Sequence, residues 1–359
     1  MKRFLIKERV TSMIKKRKIV LMLLVLLLGS LSLSACKTDK PTIYVYNWGD
    51  YIDETILDDF EEETGIKVVY DTFATNEDMY VKIKSGGGSY DVIFPSDYML
   101  TRMREEGMLE KVDLTKIPNA QHLEERFLGL DYDPDNQYSI PFKWGTVGIL
   151  YNTTMVDDVV DSWDILWNPK YAKEILMLDS QRDSIGIALL SLGYSINTLD
   201  VDELAEAGEL LKEQKPLVLA YVIDEGKDKM VAGEAALAVI WSGEATYGRE
   251  ENSDLEYAIP EEGTNLWFDV MAIPQGAKNK EGAHKFIDFM TRPDITLRNA
   301  EYTGYAIPNK TTRAMLPKEI NEDRSIYPEE EDLENAEIFV NLGQTLKDYD
   351  RIWTEVKAH

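Results

Sequence analysis

The side chains best suited to chemistry in this sequence are aromatic residues placed beside carboxylates. They stand where apolar runs end, at points where strands are expected to stop. The aromatic members are Trp48, Tyr98, Trp241, Trp267 and Tyr305, and acids lie near most of them, at Asp50, Asp97, Glu244 and Asp269. Any one of these aromatic residues is typical of a protein core, but the repeated pairing indicates a shared ligand site.

This pairing favours the binding of an organic cation. An aromatic face attracts an ammonium group by about 0.5–2 kcal/mol, and by more when water is excluded. Carboxylates fix ammonium groups through charge-assisted hydrogen bonds. Methylene stretches between amines would lie on the same rings, so a linear polyamine matches every feature of the set.

The elements that must position these residues alternate between strands and helices. Residues 43–46 are β-branched and aromatic, which suits a buried strand, and a helix with Ile56 and Phe60 on one face follows the turn at 47–51. Gly65 is predicted to end that helix in a left-handed conformation, before a strand at 66–70. Turns at the carboxyl edge of such a sheet are where α/β proteins bind ligands.

Two longer strand-like runs, at residues 137–152 and 265–273, predict crossings between two α/β domains. A chain of 359 residues is too long for one ordinary core. The predicted N-terminal lobe comprises residues 41–145 with 268–313, and the predicted C-terminal lobe comprises residues 146–267 with 314–359. Two domains joined by at least two crossings imply a hinge with a cleft between them.

The charge balance of the chain also favours cationic ligands. The sequence has 39 basic against 65 acidic residues and a formal charge of −26. Eight of the basic residues and one of the acidic residues lie in positions 1–35, so the remainder carries a charge of −33. Such a surface repels nucleic acid and anionic lipid and attracts cations from a distance.

The N-terminal residues predict an exported and membrane-anchored protein. A basic stretch at 1–18 precedes an apolar core at 19–28, which is too short for a comfortable membrane span. The string Leu33-Ser34-Ala35-Cys36 resembles the lipobox of bacterial lipoproteins, whose diacylated cysteine becomes the new N-terminus. Residues 1–36 are therefore predicted to be a lipoprotein signal peptide with a lipidated Cys36 on the extracytoplasmic side. An ordinary signal peptide with an unmodified cysteine is the alternative.

The sequence carries no recognisable metal-binding or catalytic motif. The three histidines, His122, His284 and His359, are scattered, without a His-x-x-x-His pattern or paired cysteines. The glycine-rich run at 85–89 has no following Gly-Lys-Ser/Thr and is predicted to be a connector. No cofactor is expected, and the protein is predicted not to be an enzyme.

Six short motifs carry a resemblance to a known family. Over about residues 42–357 the sequence resembles the spermidine/putrescine-binding proteins of bacterial ABC importers. The motifs are Tyr-Asn-Trp-x-x-Tyr (46–51), Tyr-Asp-Val-x-x-Pro-Ser-x-Tyr (90–98), Ile-Pro-x-x-Trp-Gly (140–145), Ile-Trp-x-Gly (240–243), Trp-x-Asp-x-x-Ala-Ile-Pro (267–274) and Gly-Tyr-x-x-Pro-Asn (304–309).

The resemblance implies the type II periplasmic-binding-protein fold, an α/β fold with two lobes, central sheets flanked by helices, and hinge crossings. It implies a monomeric receptor that closes around a polyamine and delivers it to an ABC permease. The family's aromatic box carries over onto Trp48, Tyr51, Tyr98, Trp241, Trp267 and Tyr305, its amine carboxylates onto Asp183 and Asp269, and its small polar contact onto Ser96.

Three positions depart from the family pattern. Gly49 stands where a threonine is common, and Asp183 stands where a longer glutamate is common. Ser180 stands where an aspartate is common, with Asp179 adjacent as a substitute. These departures leave the preferred polyamine length open between spermidine, putrescine and spermine.

Two other functions are compatible with the same residues. Aromatic platforms with carboxylates also suit a sugar-binding receptor of the same fold, although sugar sites usually use more Asn, Gln and Arg. A surface-anchored hydrolase could use Asp183 and Asp269 as acid and base, but no nucleophile motif accompanies them.

Overall fold

Nine strands form one sheet in the part of the chain that the structure describes, residues 40–86 and 89–359 of a computed structural model. The predicted signal peptide and Cys36 lie outside these residues. The strands are β1 (Thr42–Trp48), β2 (Lys67–Phe73), β3 (Val92–Ile93), β4 (Ser139–Asn152), β5 (Ile175–Leu178), β6 (Val218–Val222), β7 (Leu237–Trp241), β8 (Leu255–Ala258) and β9 (Leu266–Ala272).

The α-helices of the described residues lie between these strands and after the last one. They are α1 (Thr55–Thr64), α2 (Asn76–Lys84), α3 (Asp97–Glu105), α4 (Gln181–Ser191), α5 (Val201–Gln214), α6 (Glu225–Val231), α7 (Ser242–Glu251), α8 (Lys280–Thr291), α9 (Pro293–Thr303), α10 (Lys310–Arg313), α11 (Lys318–Asn321) and α12 (Leu346–Ala358). No helix in the described part of the chain combines the length and the apolar character that a membrane crossing needs.

The sheet consists of two parallel groups joined by an antiparallel pair. The strand order is β2-β1-β3-β9-β4-β7-β5-β6, and β8 pairs with β4. Strand β1 runs parallel to β2 and β3, and β5 runs parallel to β6 and β7. The α/β class predicted from the sequence is confirmed, with the carboxyl ends of both parallel groups available to position a ligand site.

The two segments predicted as crossings form β4 and β9. They pair antiparallel from Ser139 opposite Ala272 to Thr146 opposite Leu266, with a register shift between Pro141 and Lys143. Nearly every side chain of β4 is buried, because both its faces are covered. These two strands therefore connect the β1-containing group of the sheet with the β7-containing group.

The predicted first strand-helix-strand unit is confirmed in detail. Gly65 follows α1 with φ of 71° and donates its backbone N–H to the carbonyl of Glu61. This left-handed conformation favours glycine, which has no Cβ to collide with the backbone. The buried side chains of α1, Ile56 and Phe60, are the two that the helical spacing predicts.

The sequence analysis did not predict three of the helices and strands near the site. Strand β6 and helix α6 occupy a stretch without a clear apolar period, and α7 begins directly at the end of β7. Helix α7 contains glycines at positions 243 and 248, which lower helix propensity. Its formation therefore depends on packing against β4, β7 and β8, which local sequence does not reveal.

The C-terminal residues pack at two different places. Ile326 and Tyr327 belong to the same apolar cluster as Trp144 and Phe268, whereas α12 packs against α4 and α5. The division into lobes at 41–145 with 268–313 and 146–267 with 314–359 stays a prediction.

Candidate ligand-binding cavity

A cavity of about 680 Å³ lies between the two groups of strands, and β9 contributes to its wall. The sequence predicts nine contact residues, and the structure places all nine in the lining of this one cavity. They are Trp48, Tyr51, Ser96, Tyr98, Asp183, Trp241, Trp267, Asp269 and Tyr305. The structure thus brings together side chains from six separate stretches of the chain.

Asp269 is the most completely positioned carboxylate of the cavity. Its Oδ2 accepts a hydrogen bond from the Tyr51 hydroxyl at 2.6 Å, and its Oδ1 accepts one from the Ser96 hydroxyl, also at 2.6 Å. Burial raises its pKa to about 6, although the two hydroxyl donors and the charge of Lys143 act in the opposite direction. Asp269 therefore gains stabilisation when a cation approaches it.

Three aromatic rings stand around this carboxylate. The ring of Tyr305 lies edge-on to both Tyr51 and Trp267, with 5.3 Å between centroids in each case. Such edge-to-face contacts fix the rings relative to one another. The indole Nε1 of Trp267 is buried without a hydrogen-bond partner among the described residues.

Two glycines leave room for these rings. The sequence analysis named both only as members of the short motifs. A methyl group at Gly243 would overlap the ring of Tyr305, and one at Gly145 would lie 2.6 Å from Cζ2 of Trp267. Glycine is required at both positions because the aromatic rings pack directly on the backbone. The available signal was a glycine close after a tryptophan, directly after Trp144 within β4 and two residues after Trp241 at the end of β7.

Lys143 is a second residue that sequence reasoning missed. It is 1% exposed, and its ammonium donates to the backbone carbonyl of Tyr51 at 2.8 Å and to the Thr303 hydroxyl at 2.7 Å. It also lies 4.1 Å from the centre of the Tyr51 ring. Burial lowers the pKa of Lys143 well below its usual range, and the charge of Asp269 opposes that shift. A lone lysine within an otherwise apolar strand was the signal.

The region around Tyr98 is a hydrogen-bonded network rather than a bare ring. The Asn76 amide donates to the hydroxyl oxygens of Ser96 and Tyr98, and the Tyr98 hydroxyl donates to Glu77 at 3.1 Å. Asp97 instead accepts the backbone N–H groups of Tyr98 and Phe268. Asp97 thus holds β9 against α3, and Glu77, which is partly buried and lines the cavity, is the end of the network.

Asp183 forms a second prepared carboxylate in the first turn of α4. It accepts hydrogen bonds from the Ser180 hydroxyl at 2.6 Å and from the Asn265 amide at 3.0 Å. Burial raises its pKa, while these donors oppose the shift. The adjacent Asp179 is paired with Lys357, with 2.8 Å between Oδ1 and Nζ. Asp179 is therefore already neutralised by a cation of the chain itself.

Further carboxylates of the cavity, Asp50, Asp224, Asp228 and Glu244, lie on the segments that follow β1, β6 and β7. Trp48 and Trp241 are the last residues of β1 and β7. Glu244 is buried at the start of α7, and its Oε1 lies 3.6 Å from the ammonium of Lys227 on α6. Asp50, in the turn after β1, lies 3.9 Å from the same ammonium. Burial raises the pKa of Glu244 to about 8, an effect that the charge of Lys227 reduces. Lys227 was not identified from the sequence.

The cavity is chemically suited to an organic cation. No group of His, Cys, Asp and Glu able to hold a metal exists within the described residues. His284 accepts the backbone N–H of Asp113, and His122 contacts Thr311, so both have structural partners. The cavity combines aromatic faces with carboxylates that already accept hydrogen bonds from fixed donors, which is an arrangement for binding ammonium groups.

A family model described as bacterial extracellular solute-binding protein matches residues 55–326 of the chain. The spermidine/putrescine-binding periplasmic protein of Salmonella typhimurium is 39% identical over 335 residues, covering 92% of this chain and 96% of that protein.

Solved structures agree with this similarity. The spermidine/putrescine ABC transporter substrate-binding protein of Streptococcus pneumoniae is 42% identical, with a TM-score of 0.77, covering 89% of this chain and 99% of the other. A lipoprotein of Treponema pallidum is 30% identical, with a TM-score of 0.80, covering 89% of this chain and all of the other.

Proposed function

Because the chain belongs to the family of bacterial extracellular solute-binding proteins, we propose that it is a polyamine receptor of an ABC importer. It binds spermidine or putrescine outside the cytoplasm, closes around the ligand and delivers it to a membrane permease. The names of similar proteins from Salmonella typhimurium and Streptococcus pneumoniae support this ligand class and this partner.

The observation that carries the proposal is the pairing of Asp269 with a cage of aromatic rings. The carboxylate is buried, its two oxygens are oriented by the hydroxyls of Tyr51 and Ser96, and the rings of Tyr305 and Trp267 stand beside it. An ammonium group bound here exchanges its water shell for a carboxylate and ring faces. A neutral sugar would leave this buried negative charge without a partner.

Asp183 supplies the second anchor in the proposed mode of binding. Both of its oxygens accept hydrogen bonds, as those of Asp269 do, and the donors are a hydroxyl and an amide group. One amine of the ligand pairs with Asp269 and the next with Asp183, while Tyr98, Trp48, Tyr51 and Trp241 cover the methylene chain. The nine predicted contact residues thus act together as one linear binding site.

In this proposal, part of the free energy of ligand binding stabilises the closed arrangement of the two lobes. The cavity wall includes residues that follow β1, such as Tyr51, and residues that follow β7, such as Trp241. A ligand that touches both groups stabilises the arrangement in which they are close together. The closed form, as a monomer, then docks on the permease through the outer surfaces of the lobes.

The proposed location is the outer face of the cell membrane. The lipobox string ending at Cys36 supports a diacyl anchor, as does the similarity to a lipoprotein of Treponema pallidum. We propose no enzymatic reaction, because the oxygens of Asp183 and Asp269 are held by fixed donors and the similar proteins are named for binding and transport of a solute.

Calorimetric titration of the full chain in non-ionic detergent tests this function. Saturable binding of spermidine or putrescine with one ligand per chain is expected, and Trp267→Ala should weaken it. Glucose and maltose serve as neutral comparison ligands. Absence of heat with both amines, together with saturable binding of a sugar, would overturn the polyamine assignment.

A further inference from the structure

One end of the cavity already contains an ammonium group supplied by the chain. The Nζ of Lys227 lies 3.6 Å from Oε1 of Glu244 and 3.9 Å from Oδ2 of Asp50. Lys227 extends from α6, Glu244 begins α7, and Asp50 follows β1, so the ammonium bridges elements of the two strand groups. Its side chain is 17% exposed, and the side chain of Glu244 is 8% exposed.

This ammonium is held less firmly than the carboxylates elsewhere in the cavity. Both distances exceed the range of a good charge-assisted hydrogen bond, 2.7–2.9 Å. The second oxygen of Glu244, Oε2, is buried and has no hydrogen-bond partner within the described part of the chain. A buried carboxylate oxygen without a donor is costly, which indicates that another donor belongs at this position.

Glu244 and Asp269 both act on Tyr305. Burial, followed by the negative charges of Glu244 and Asp269, raises the pKa of Tyr305 well above its usual range. Asp183, Asp269 and Glu244 are three buried carboxylates in the lining of one cavity, so each is a position for an ammonium group. Of the three, Glu244 is the one that faces a lysine ammonium of the chain, at 3.6 Å.

We propose that Lys227 determines how many ammonium groups the cavity accepts, by occupying the third position and thereby favouring a diamine over a triamine. The inference rests on the proposed polyamine function. A diamine fills Asp183 and Asp269 and leaves Lys227 paired with Glu244. A triamine brings its third ammonium to Glu244, where it must displace Lys227 or lie beside an equal charge in a poorly hydrated site.

The test compares Lys227→Met with Lys229→Met in the full chain. Methionine keeps the length and apolar character of the side chain and removes only the charge. Lys229 lies on the same helix and pairs with Glu234 at 2.8 Å, and it does not line the cavity. The control therefore has the same change in net charge and the same helix composition. Thermal unfolding of both variants establishes that they are folded, and Lys227→Gln provides a second neutral side chain.

Affinities for 1,4-diaminobutane and for spermidine are measured by calorimetry with all three proteins. In Lys227→Met the spermidine affinity should rise about tenfold or more, while the 1,4-diaminobutane affinity changes less than about threefold. Lys229→Met should leave the ratio of the two affinities as in the parent chain.

The outcomes separate this inference from the function on which it rests. An affinity ratio unchanged in Lys227→Met and Lys227→Gln, or one shifted toward the diamine, would show that Lys227 does not occupy a ligand position. An equal gain in affinity for both amines would show that Lys227 acts only through its contribution to the electrostatic potential of the cavity, and not by occupying a ligand position. Failure of every protein, including the parent chain, to bind either amine would instead overturn the polyamine function.

Discussion

Two buried carboxylates that both act on Tyr305 are held in different ways. Asp269 accepts hydrogen bonds from two hydroxyls, each at 2.6 Å, and has the buried Lys143 nearby. Glu244 has one lysine at 3.6 Å, and its Oε2 has no hydrogen-bond donor among the described residues. The first is oriented by neutral hydroxyl groups, whereas the second faces a cation of the chain at a distance longer than a good charge-assisted hydrogen bond.

The difference indicates a division of roles within one cavity. Hydroxyl donors orient a carboxylate without cancelling its charge, so Asp269 presents a full negative charge to any ligand. A lysine cancels most of the charge that it faces, so Glu244 contributes little attraction until Lys227 is displaced. In the proposed function, Asp269 therefore binds the ammonium group that all the polyamines share. In the inference drawn from Lys227, Glu244 distinguishes longer polyamines from shorter ones.

Replacing Asp269 with asparagine is expected to have the largest effect. The amide keeps the size of the side chain but removes the charge and places an N–H₂ group against one of the hydroxyls. Loss of one member of a buried charge pair costs about 3 kcal/mol or more, so amine affinity should fall at least about 100-fold in calorimetry. Asp91→Asn, a buried carboxylate that does not line the cavity, is the control. Unchanged affinity in Asp269→Asn would remove this residue from the site.

Gly243→Ala should weaken ligand binding although it changes no charged residue. The added methyl overlaps the ring of Tyr305, which must move away from Asp269 and Trp267. A displaced ring loses a contact worth about 0.5–2 kcal/mol, so affinity should fall about threefold to 30-fold. The control is Gly248→Ala on the same helix, whose methyl would meet the flexible ends of Leu150 at 3.2 Å and Leu255 at 3.5 Å. Equal affinities in the two variants would show that the position of Tyr305 is not important for binding.

The pH dependence of binding distinguishes the two carboxylates. The pKa of Asp269 is raised to about 6, and an ammonium ligand lowers it again because only the ionised form pairs with a cation. Binding therefore releases a proton near pH 6, and diamine affinity should fall about tenfold between pH 8 and pH 5. The pKa of Glu244 is raised to about 8, so a ligand that reaches it releases a proton already near pH 7.5.

Calorimetry in two buffers of different ionisation enthalpy counts these protons. With 1,4-diaminobutane, release around pH 6 should be smaller in Asp269→Asn than in the parent chain, and what remains comes from Asp183, whose pKa burial also raises. With spermidine and Lys227→Met, release should extend to about pH 7.5. A flat profile with the parent chain between pH 8 and pH 5 would contradict the role of Asp269.

Glu244→Gln should have the smallest effect on diamine binding, below about threefold, since the lost charge is already paired with Lys227. The same substitution in the Lys227→Met background should abolish the gain in spermidine affinity. This double-mutant cycle measures the coupling between the two residues. If the spermidine gain persists without Glu244, the third ammonium is held by another carboxylate, and the comparison between Asp269 and Glu244 fails.

Much of the local structure could be predicted because its causes are local. The alternation of apolar residues predicts β1 and β2, and Gly65 marks the end of α1, as the structure confirms. Helix α7 could not be predicted, because its sequence contains Gly243 and Gly248 and little amphipathic character. Its position is fixed by burial against strands that are distant in the chain.

The same contrast holds for the site. Aromatic residues beside acids could be recognised from residue types and from resemblance, and the structure places all nine predicted residues in one cavity. Lys143 and Lys227 were not recognised, since a lysine in a sequence is ordinarily a surface residue. The apolar strand around Lys143 was a signal, whereas Lys227 had none. Only the pairing of β4 with β9, and the approach of α6 to α7, give these two ammonium groups their neighbours.

The sequence by itself determined the residue types that can bind a linear cation and the strand ends that carry them. This follows because strand periodicity, glycine conformation and side-chain chemistry act over a few residues. The tertiary structure decided which carboxylate is free and which is already paired. That distinction depends on distances between Asp269, Tyr51 and Ser96, and between Glu244 and Lys227, which arise only when separate segments pack together.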